Sequence, residues 1–191
     1  YDELFPEIVV EDLGLNTLTN PKFNFNNFSS NLGTRFTINN GENIYFNYSI
    51  SSRKPNPSEL FSEGLHHSSA RIEIGDLSFN SEVGHNISLT YNFANEKSNL
   101  TVNSFANFVN DFIYIIPIDL MSTIAGVFPY WEYKQSNANL FGFDIKYEKQ
   151  YFDNFFIGNE FSIIKGYERD NNKPLVNMPP ANIKNQFSYN F

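Results

Sequence analysis

The sequence of 191 residues contains no cysteine. This absence excludes a disulfide framework, a thiolate zinc site, an iron–sulfur cluster and a cysteine nucleophile. Basic side chains are also scarce, because 13 Lys and Arg stand against 21 Asp and Glu, for a formal net charge of −8. Phosphate recognition needs clustered Lys and Arg, so this charge balance argues against a nucleic-acid partner.

Long apolar runs are missing too. The longest, residues 113–118, is far shorter than the roughly 18 to 20 residues of a membrane-spanning helix, whereas a tilted membrane-spanning β-strand needs only about 9–11. The chain starts at Tyr1, and no basic segment followed by an apolar one precedes Leu4, so we expect a signal peptide to be absent or already removed.

Aromatic residues are abundant, with 21 Phe and 11 Tyr, and from about residue 26 onward they alternate with polar residues. Alternation with a period of two is typical of half-buried strands. It predicts about seven strands, near residues 28–38, 44–50, 85–93, 100–116, 133–150, 155–163 and 187–191. No window has a sustained helical period, so we expect little helix.

The lengths of the connections alternate strictly. Short turns (39–43, 94–99 and 151–154) alternate along the chain with long loops (about 52–80, 117–132 and 168–181). An up-and-down sheet then has all its long loops at one end, as in outer-membrane barrels, and aromatic residues at strand ends fit the interfacial girdles of such barrels. We predict an all-β fold, an antiparallel up-and-down transmembrane β-barrel segment.

Two other classes remain open at this point. A soluble all-β carbohydrate-binding sandwich, with Trp131 and exposed tyrosines as stacking platforms, fits the length and the aromatic surplus. Two packed sheets would support it, and one continuous sheet would not. An enzyme fits worst, because no nucleophile elbow, phosphate loop or metal motif of proper spacing is present, and we expect neither catalysis nor a cofactor.

Five ordered motifs resemble those of TonB-dependent outer-membrane receptors. The first reads R-x-P-x-x-x-E-L-F-x-x-G-x-H and starts at Arg53; the others are residues 79–86, 111–114, 139–144 and 174–180. The resemblance implies a barrel of about 22 strands with a plugged lumen, in the outer membrane of a Gram-negative bacterium. It also implies an active-transport receptor that binds a scarce ligand, such as a metal or siderophore, for TonB-powered import.

The motifs predict where this chain lies in such a receptor. Residues 1–191 are expected to be part of one barrel domain, with the plug domain and the C-terminal strands absent. The expected partners are outer-membrane lipid, the small ligand, and TonB through the missing plug region. Residues 1–25 match no motif, and Lys54 stands where the family often has a small residue.

The sharpest chemical feature is an adjacent pair of histidines in the first long loop. His66 and His67, with Glu59 and Glu63 nearby, offer nitrogen and oxygen donors that suit Zn²⁺ or Cu²⁺, and Glu73 follows. Similar histidine-containing loops occur in the zinc-uptake branch of the family that the chain resembles. We therefore predict that His66, His67, Glu59 and Glu63 bind the ligand and that the histidine pair contacts the metal. The alternative is that these are solvated loop residues without a ligand.

Overall fold

The computed structural model describes residues 8–12, 15–19, 22–152 and 154–189. Seven strands form one antiparallel up-and-down path in the sheet. In chain order they are β3 (Ser29–Asn39), β4 (Glu42–Arg53), β7 (Glu82–Ala94), β8 (Ser98–Thr123), β9 (Gly126–Tyr151), β10 (Phe155–Glu168) and β11 (Asn182–Tyr189). A separate hairpin pairs β1 (Ile8–Asp12) with β2 (Leu15–Thr19). The predicted seven-strand sheet is thus confirmed, although Phe191 at the predicted end of the last strand lies outside the described residues.

The register gives the sheet one apolar and one polar face. Because side chains alternate across a strand, residues paired by the register share a face. Phe46 on β4 lies opposite Leu89 on β7. Leu89 in turn lies opposite Ser104 on β8, and Ser104 lies opposite Phe143 on β9. Large apolar residues on this face are exposed in the described structure; they include Leu32, Phe36, Phe46, Ile87, Leu89, Phe141, Phe143, Ile183 and Phe187.

Hydrogen-bonded polar side chains occupy the opposite face. The Thr90 hydroxyl donates to Asn103 Oδ1 (2.9 Å), and Asn103 Nδ2 donates to Asp144 Oδ2 (3.3 Å), so three neighbouring strands are linked by side chains. Aromatic residues also lie on this face, among them Phe105, whose ring covers Gly142 so closely that no Cβ would fit. One continuous sheet with an exposed apolar face is the arrangement expected of a barrel segment, not of a sandwich.

The short turns lie together at one end of the sheet. The Ala94 amide donates to the Gly41 carbonyl, and the Gln150 amide donates to the Lys97 carbonyl, so neighbouring turns are joined. Gly41 has a φ of +85°, which only glycine adopts without strain. The long connections therefore emerge together at the other end, as the alternating lengths predict.

The prediction of an irregular loop over residues 117–132 is wrong. The two strands β8 and β9, each 26 residues long, continue as a hairpin that turns between Thr123 and Gly126. Pro117 and Pro129 suggested a loop, but beyond Asn110 the strand β8 pairs with β9 alone. Proline is tolerated on such edges, because no second ladder hydrogen bond is required of it.

The connection over residues 52–80 is also more ordered than an open loop. It contains helix α1 (Pro57–Phe61) and a small hairpin of β5 (Glu63–His66) and β6 (Arg71–Ile74). Leu60, Phe79 and Ile113 form a buried cluster that joins this connection to β8. Helix α1, five residues long, is the one α-helix among the described residues, which confirms the low helix content; none there is long and apolar enough to span a bilayer.

Candidate functional site

The base of the 52–80 connection is held by one arginine between two buried carboxylates. Arg53 Nε donates to Glu82 Oε2 (2.6 Å), and Arg53 Nη1 donates to both oxygens of Glu59 (3.1 and 3.0 Å). Glu59 and Glu82 are only 7% and 8% exposed. The hydrogen bond to Glu82 raises the pKa of Arg53 above its usual value, with Glu59 adding to the effect. Such charge-assisted bonds fix the geometry of the loop base.

Three further hydrogen bonds extend this base into the helix and into strand β8. Asn56 and Glu59 form a reciprocal capping box at the start of α1, in which Asn56 Oδ1 accepts from the Glu59 amide and Glu59 Oε2 accepts from the Asn56 amide. Glu82 Oε1 accepts from the Ile113 amide at 2.7 Å. Residues from three of the five sequence motifs thus meet in one network, which indicates that those motifs encode the architecture of the loop base.

A second cluster attaches the β5–β6 hairpin to the long β8–β9 hairpin. Strand β6 pairs in parallel with β9 at three positions, and Glu73 lies opposite Trp131. Glu73 is 4% exposed, and its carboxylate accepts from Arg71 Nε (2.7 Å) and from the Tyr133 hydroxyl (3.3 Å). The Arg71 guanidinium also lies 4.7 Å from the centre of the Trp131 ring, a cation–π contact.

The charges in this second cluster shift the acidity of its members. Burial, together with the negative charge of Glu73, raises the pKa of Tyr133. Next to it, Tyr130 donates to Glu132 Oε1 at 2.7 Å, and Lys134 forms an ion pair with the same carboxylate. The hydrogen bond from Lys134, and then that from Tyr130, lowers the pKa of Glu132. At neutral pH, Tyr133 therefore keeps its hydroxyl proton and Glu132 keeps its negative charge.

The structure separates the predicted site residues into two groups. His66 and His67 are exposed at the β5–β6 turn, and His66 Nδ1 lies 3.1 Å from the Ser68 hydroxyl and 3.2 Å from that of Ser69. Glu63 is also exposed, but it begins β5 at the opposite end of the hairpin, where it pairs with Ile74. Glu59 is instead buried in the loop base, where Arg53 and the capping box engage its carboxylate. Among the described residues, no group of three or more His, Asp or Glu side chains is arranged to hold a metal ion.

Sequence reasoning missed the residues that order the loop. Glu82 and Ile113 belong to the second and third of the five motifs, but no local pattern shows that Glu82 joins Ile113 to Arg53. The capping box did have a signal in the segment Asn56-Pro57-Ser58-Glu59, since Asn at the N-cap, Pro at the first turn and Glu three residues later typify a helix start. Arg71 and Trp131 had no such signal, because parallel pairing between distant segments leaves no local pattern.

The third connection, residues 169–181, is fastened to β8 and β9. Arg169 Nη1 donates to Asn110 Oδ1 and Arg169 Nε to Asn139 Oδ1, both at 3.1 Å. Leu175 is buried, its amide donates to the Gly166 carbonyl (2.9 Å), and its side chain lies against Gly166. The 52–80 and 169–181 connections are therefore both tied to β8 and β9.

A single up-and-down antiparallel sheet with one apolar and one polar face, and with its long connections gathered at one end, defines a transmembrane β-barrel segment. The chain belongs to the TonB dependent receptor-like β-barrel family, whose model matches residues 8–191. This agrees with the resemblance carried by the five motifs. Members of this family are outer-membrane proteins of Gram-negative bacteria.

Solved structures share the fold at low sequence identity. The copper transporter OprC superposes with a TM-score of 0.70 at 15% identity, over 84% of this chain and 24% of that one. The siderophore receptor PirA from Acinetobacter baumannii gives 0.61 at 15% identity, over 85% and 26%. PirA from Pseudomonas aeruginosa gives 0.58 at 14%, over 73% and 28%. The chain thus spans about a quarter of the length of these transport proteins. No curated protein matches the sequence.

Proposed function

We propose that this chain forms part of the barrel of an outer-membrane receptor that binds a scarce ligand at the cell surface for TonB-powered import. The observation that carries the proposal is the two-faced sheet of a family whose solved relatives include a copper transporter and siderophore receptors. The apolar face contacts outer-membrane lipid, and the polar face lines the lumen. TonB acts through a plug region outside this chain.

The sheet edges support the idea of a larger barrel. In the described structure, β3 pairs on one side with β4 and β11 pairs on one side with β10, so each has one edge without a strand neighbour. Unpaired edges are not tolerated in a bilayer, where closure satisfies every backbone group. Residues 1–191 therefore belong to one barrel domain that further strands close.

The membrane assignment is tested by fractionating cells that express the full-length parent. Outer-membrane recovery that survives a carbonate wash is expected, because the apolar face requires lipid. Recovery in the soluble cytosol contradicts the proposal.

The ligand of this receptor is a metal ion or metal chelate, contacted by His66 and His67, with Glu63 exposed at the start of the same hairpin. The support is that all three side chains are exposed on a hairpin that the Glu73 cluster fixes to β9. Neutral imidazole suits Zn²⁺ and Cu²⁺. The other donors to the metal would come from its chelator or from the rest of the receptor. Glu59 takes part by holding the loop base, since its carboxylate is already engaged by Arg53.

The test is binding and uptake of Zn²⁺ and Cu²⁺ by the double variant His66→Ala/His67→Ala. Both are expected to fall, because the variant removes the two imidazole nitrogen donors. His85→Ala is the matched control, since His85 lies on the apolar face with its Nδ1 2.8 Å from the Tyr48 hydroxyl. Unchanged uptake and affinity in the double variant would show that the two histidines are solvated loop residues that do not contact the metal.

A further inference from the structure

Two lysines interrupt the apolar face of the sheet. Lys149 on β9 and Lys165 on β10 are the basic residues that the register places on this face, among the described residues of the seven strands. Lys149 lies opposite Ile157, and Lys165 lies opposite Phe141. A charge on a face that meets lipid is costly unless its side chain reaches the headgroups. The levels of these two lysines are therefore informative.

The two lysines lie near the two borders of an apolar band. Along β10, Lys165 is eight residues beyond Ile157, the residue opposite Lys149. At about 3.3 Å per residue and a tilt of about 45°, this separation amounts to roughly 19 Å along the membrane normal. Lysine side chains that extend away from the centre lengthen this span toward the height of about 25 Å that is typical of the apolar band of a barrel. Each ammonium group can thus reach one layer of headgroups.

The surroundings of Lys149, at the turn end of the sheet, are those of a membrane interface. Its Nζ lies 4.7 Å from the centre of the Tyr151 ring, a cation–π contact. Tyr151 is 38% exposed, and its ring centre lies 6.4 Å from that of Phe155. Aromatic rings are enriched at the level of the lipid headgroups. Strand β9 pairs here with β8 and β10 on its two sides, so this position is inside the sheet and not at its edge.

The Lys149 ammonium has no carboxylate partner among the residues that the structure describes. The nearby ion pairs lie on the lumen face, where Lys146 Nζ is 2.8 Å from Glu148 Oε1 and 3.9 Å from Glu160 Oε1. The Tyr151 ring holds the ammonium without neutralising its charge. A positive charge at the border of the hydrocarbon attracts anionic lipids. The negative group that lies at this level is the headgroup phosphate.

We propose that Lys149 and Tyr151 bind the headgroup of an anionic phospholipid in the leaflet on the turn side of the sheet. The ammonium pairs with the phosphate, and the acyl chains lie along the apolar face. A zwitterionic headgroup fits less well, because it brings a second positive charge close to that of Lys149. The inference rests on the proposed contact of this face with lipid. It is independent of the transported ligand and of the His66–His67 pair.

The test measures which lipids lie next to Lys149 in the full-length protein. A fluorophore is attached to Ser98→Cys, opposite Lys149 on β8, and this chain has no other cysteine. The vesicles contain phosphatidylcholine and phosphatidylglycerol, and either one or the other carries bromine on its acyl chains to quench the fluorophore. Quenching should show about a three- to fivefold preference for phosphatidylglycerol, which is the effect of one lysine near a lipid surface, and high salt should reduce it. Lys149→Gln should abolish the preference, and Lys149→Arg should retain it because the charge is kept.

Two controls localise the effect. Lys146→Gln removes a lysine from the lumen face of the same strand and should leave the preference unchanged. The same fluorophore on Ser104→Cys lies on the apolar face about 20 Å farther along β8, and both lipids should quench it with no response to Lys149→Gln. Quenching at this second position also shows that a variant has folded into the bilayer.

The outcomes separate the lipid site from the membrane assignment. Quenching at both positions without a headgroup preference would overturn the site alone. A preference that survives Lys149→Gln, or that Lys146→Gln abolishes equally, would do the same. If neither position is quenched in the unaltered background, the apolar face does not meet lipid, and the membrane assignment fails together with the inference.

Discussion

Arginine at position 89 should destabilise the barrel far more than arginine at position 88. Leu89 is 49% exposed on the apolar face, with Phe46 and Ser104 as its cross-strand neighbours. Ser88 points to the other face, between Asn47 and Phe105. If the apolar face meets lipid, adjacent residues in one strand experience opposite environments.

The depth of Leu89 sets the size of the effect. Strand β7 has 13 residues, and at about 3.3 Å per residue and a tilt of about 45° it rises roughly 30 Å along the membrane normal. Leu89 lies near the middle of that strand, close to the bilayer midplane. Arginine there costs about 2–4 kcal/mol, whereas a polar substitution on the lumen face should cost less than about 1 kcal/mol.

The assay is urea unfolding of the full-length protein folded into lipid vesicles. Leu89→Ala and Ser88→Ala serve as references at each position, so that the loss of the native side chain is separated from the insertion of the charge. The expected result is a free energy of unfolding lowered by about 2–4 kcal/mol for arginine against alanine at 89 and nearly unchanged at 88. Equal costs at the two positions, or a larger cost at 88, would refute the assignment of the faces.

Three further predictions follow from the ends of the sheet and from the two loop clusters. Epitope tags in residues 52–80, 117–132 or 168–181 should be reachable on intact cells and tags near residues 41 and 96 only after permeabilisation; mixed labelling within either set contradicts the topology. Arg53→Met leaves two buried carboxylates without their cation, so the 57–79 region should lose about 1–3 kcal/mol of hydrogen-exchange protection while Lys54→Met leaves it intact. The folded-state pKa of Glu132 is lowered, so its contribution to stability is present above the unfolded pKa of about 4.3 and is lost as the pH falls through the folded-state pKa. Lys134→Gln should raise the pKa of the Glu132 carboxylate, as measured by NMR titration.

Alternation predicted the main sheet because each face has one consistent environment. Ile87, Leu89 and Tyr91 share the apolar face with Phe46 as their period of two requires, and the turn at Gly41 has the residue that a positive φ demands. These features depend on residues that are close in sequence or lie on neighbouring strands, and a local pattern of residue types is therefore enough to predict them.

Long-range contacts leave no such pattern. Pro117 and Pro129 favour a loop when only their sequence neighbours are considered. Proline is tolerated on an edge of a hairpin, and the pairing of β8 with β9 continues past both residues, with a register shift next to Pro117. The docking of β6 on β9 depends on Glu73 meeting Tyr133, two residues far apart in the chain, and no local period encodes it. The two histidines are identifiable by residue type alone, but residue type does not reveal which carboxylates, such as Glu59, are already engaged by an arginine.

The parallel pairing of β6 with β9 has a consequence for the order in which the chain folds. Strands β8 and β9 are joined by a tight turn, so their long hairpin can zip from local contacts. The β5–β6 hairpin precedes both in the chain, yet its docking surface, including Trp131, exists only after that hairpin has formed. We expect the 52–80 region to acquire hydrogen-exchange protection later than β8 and β9 during refolding, so that this connection is assembled on strands that have already paired.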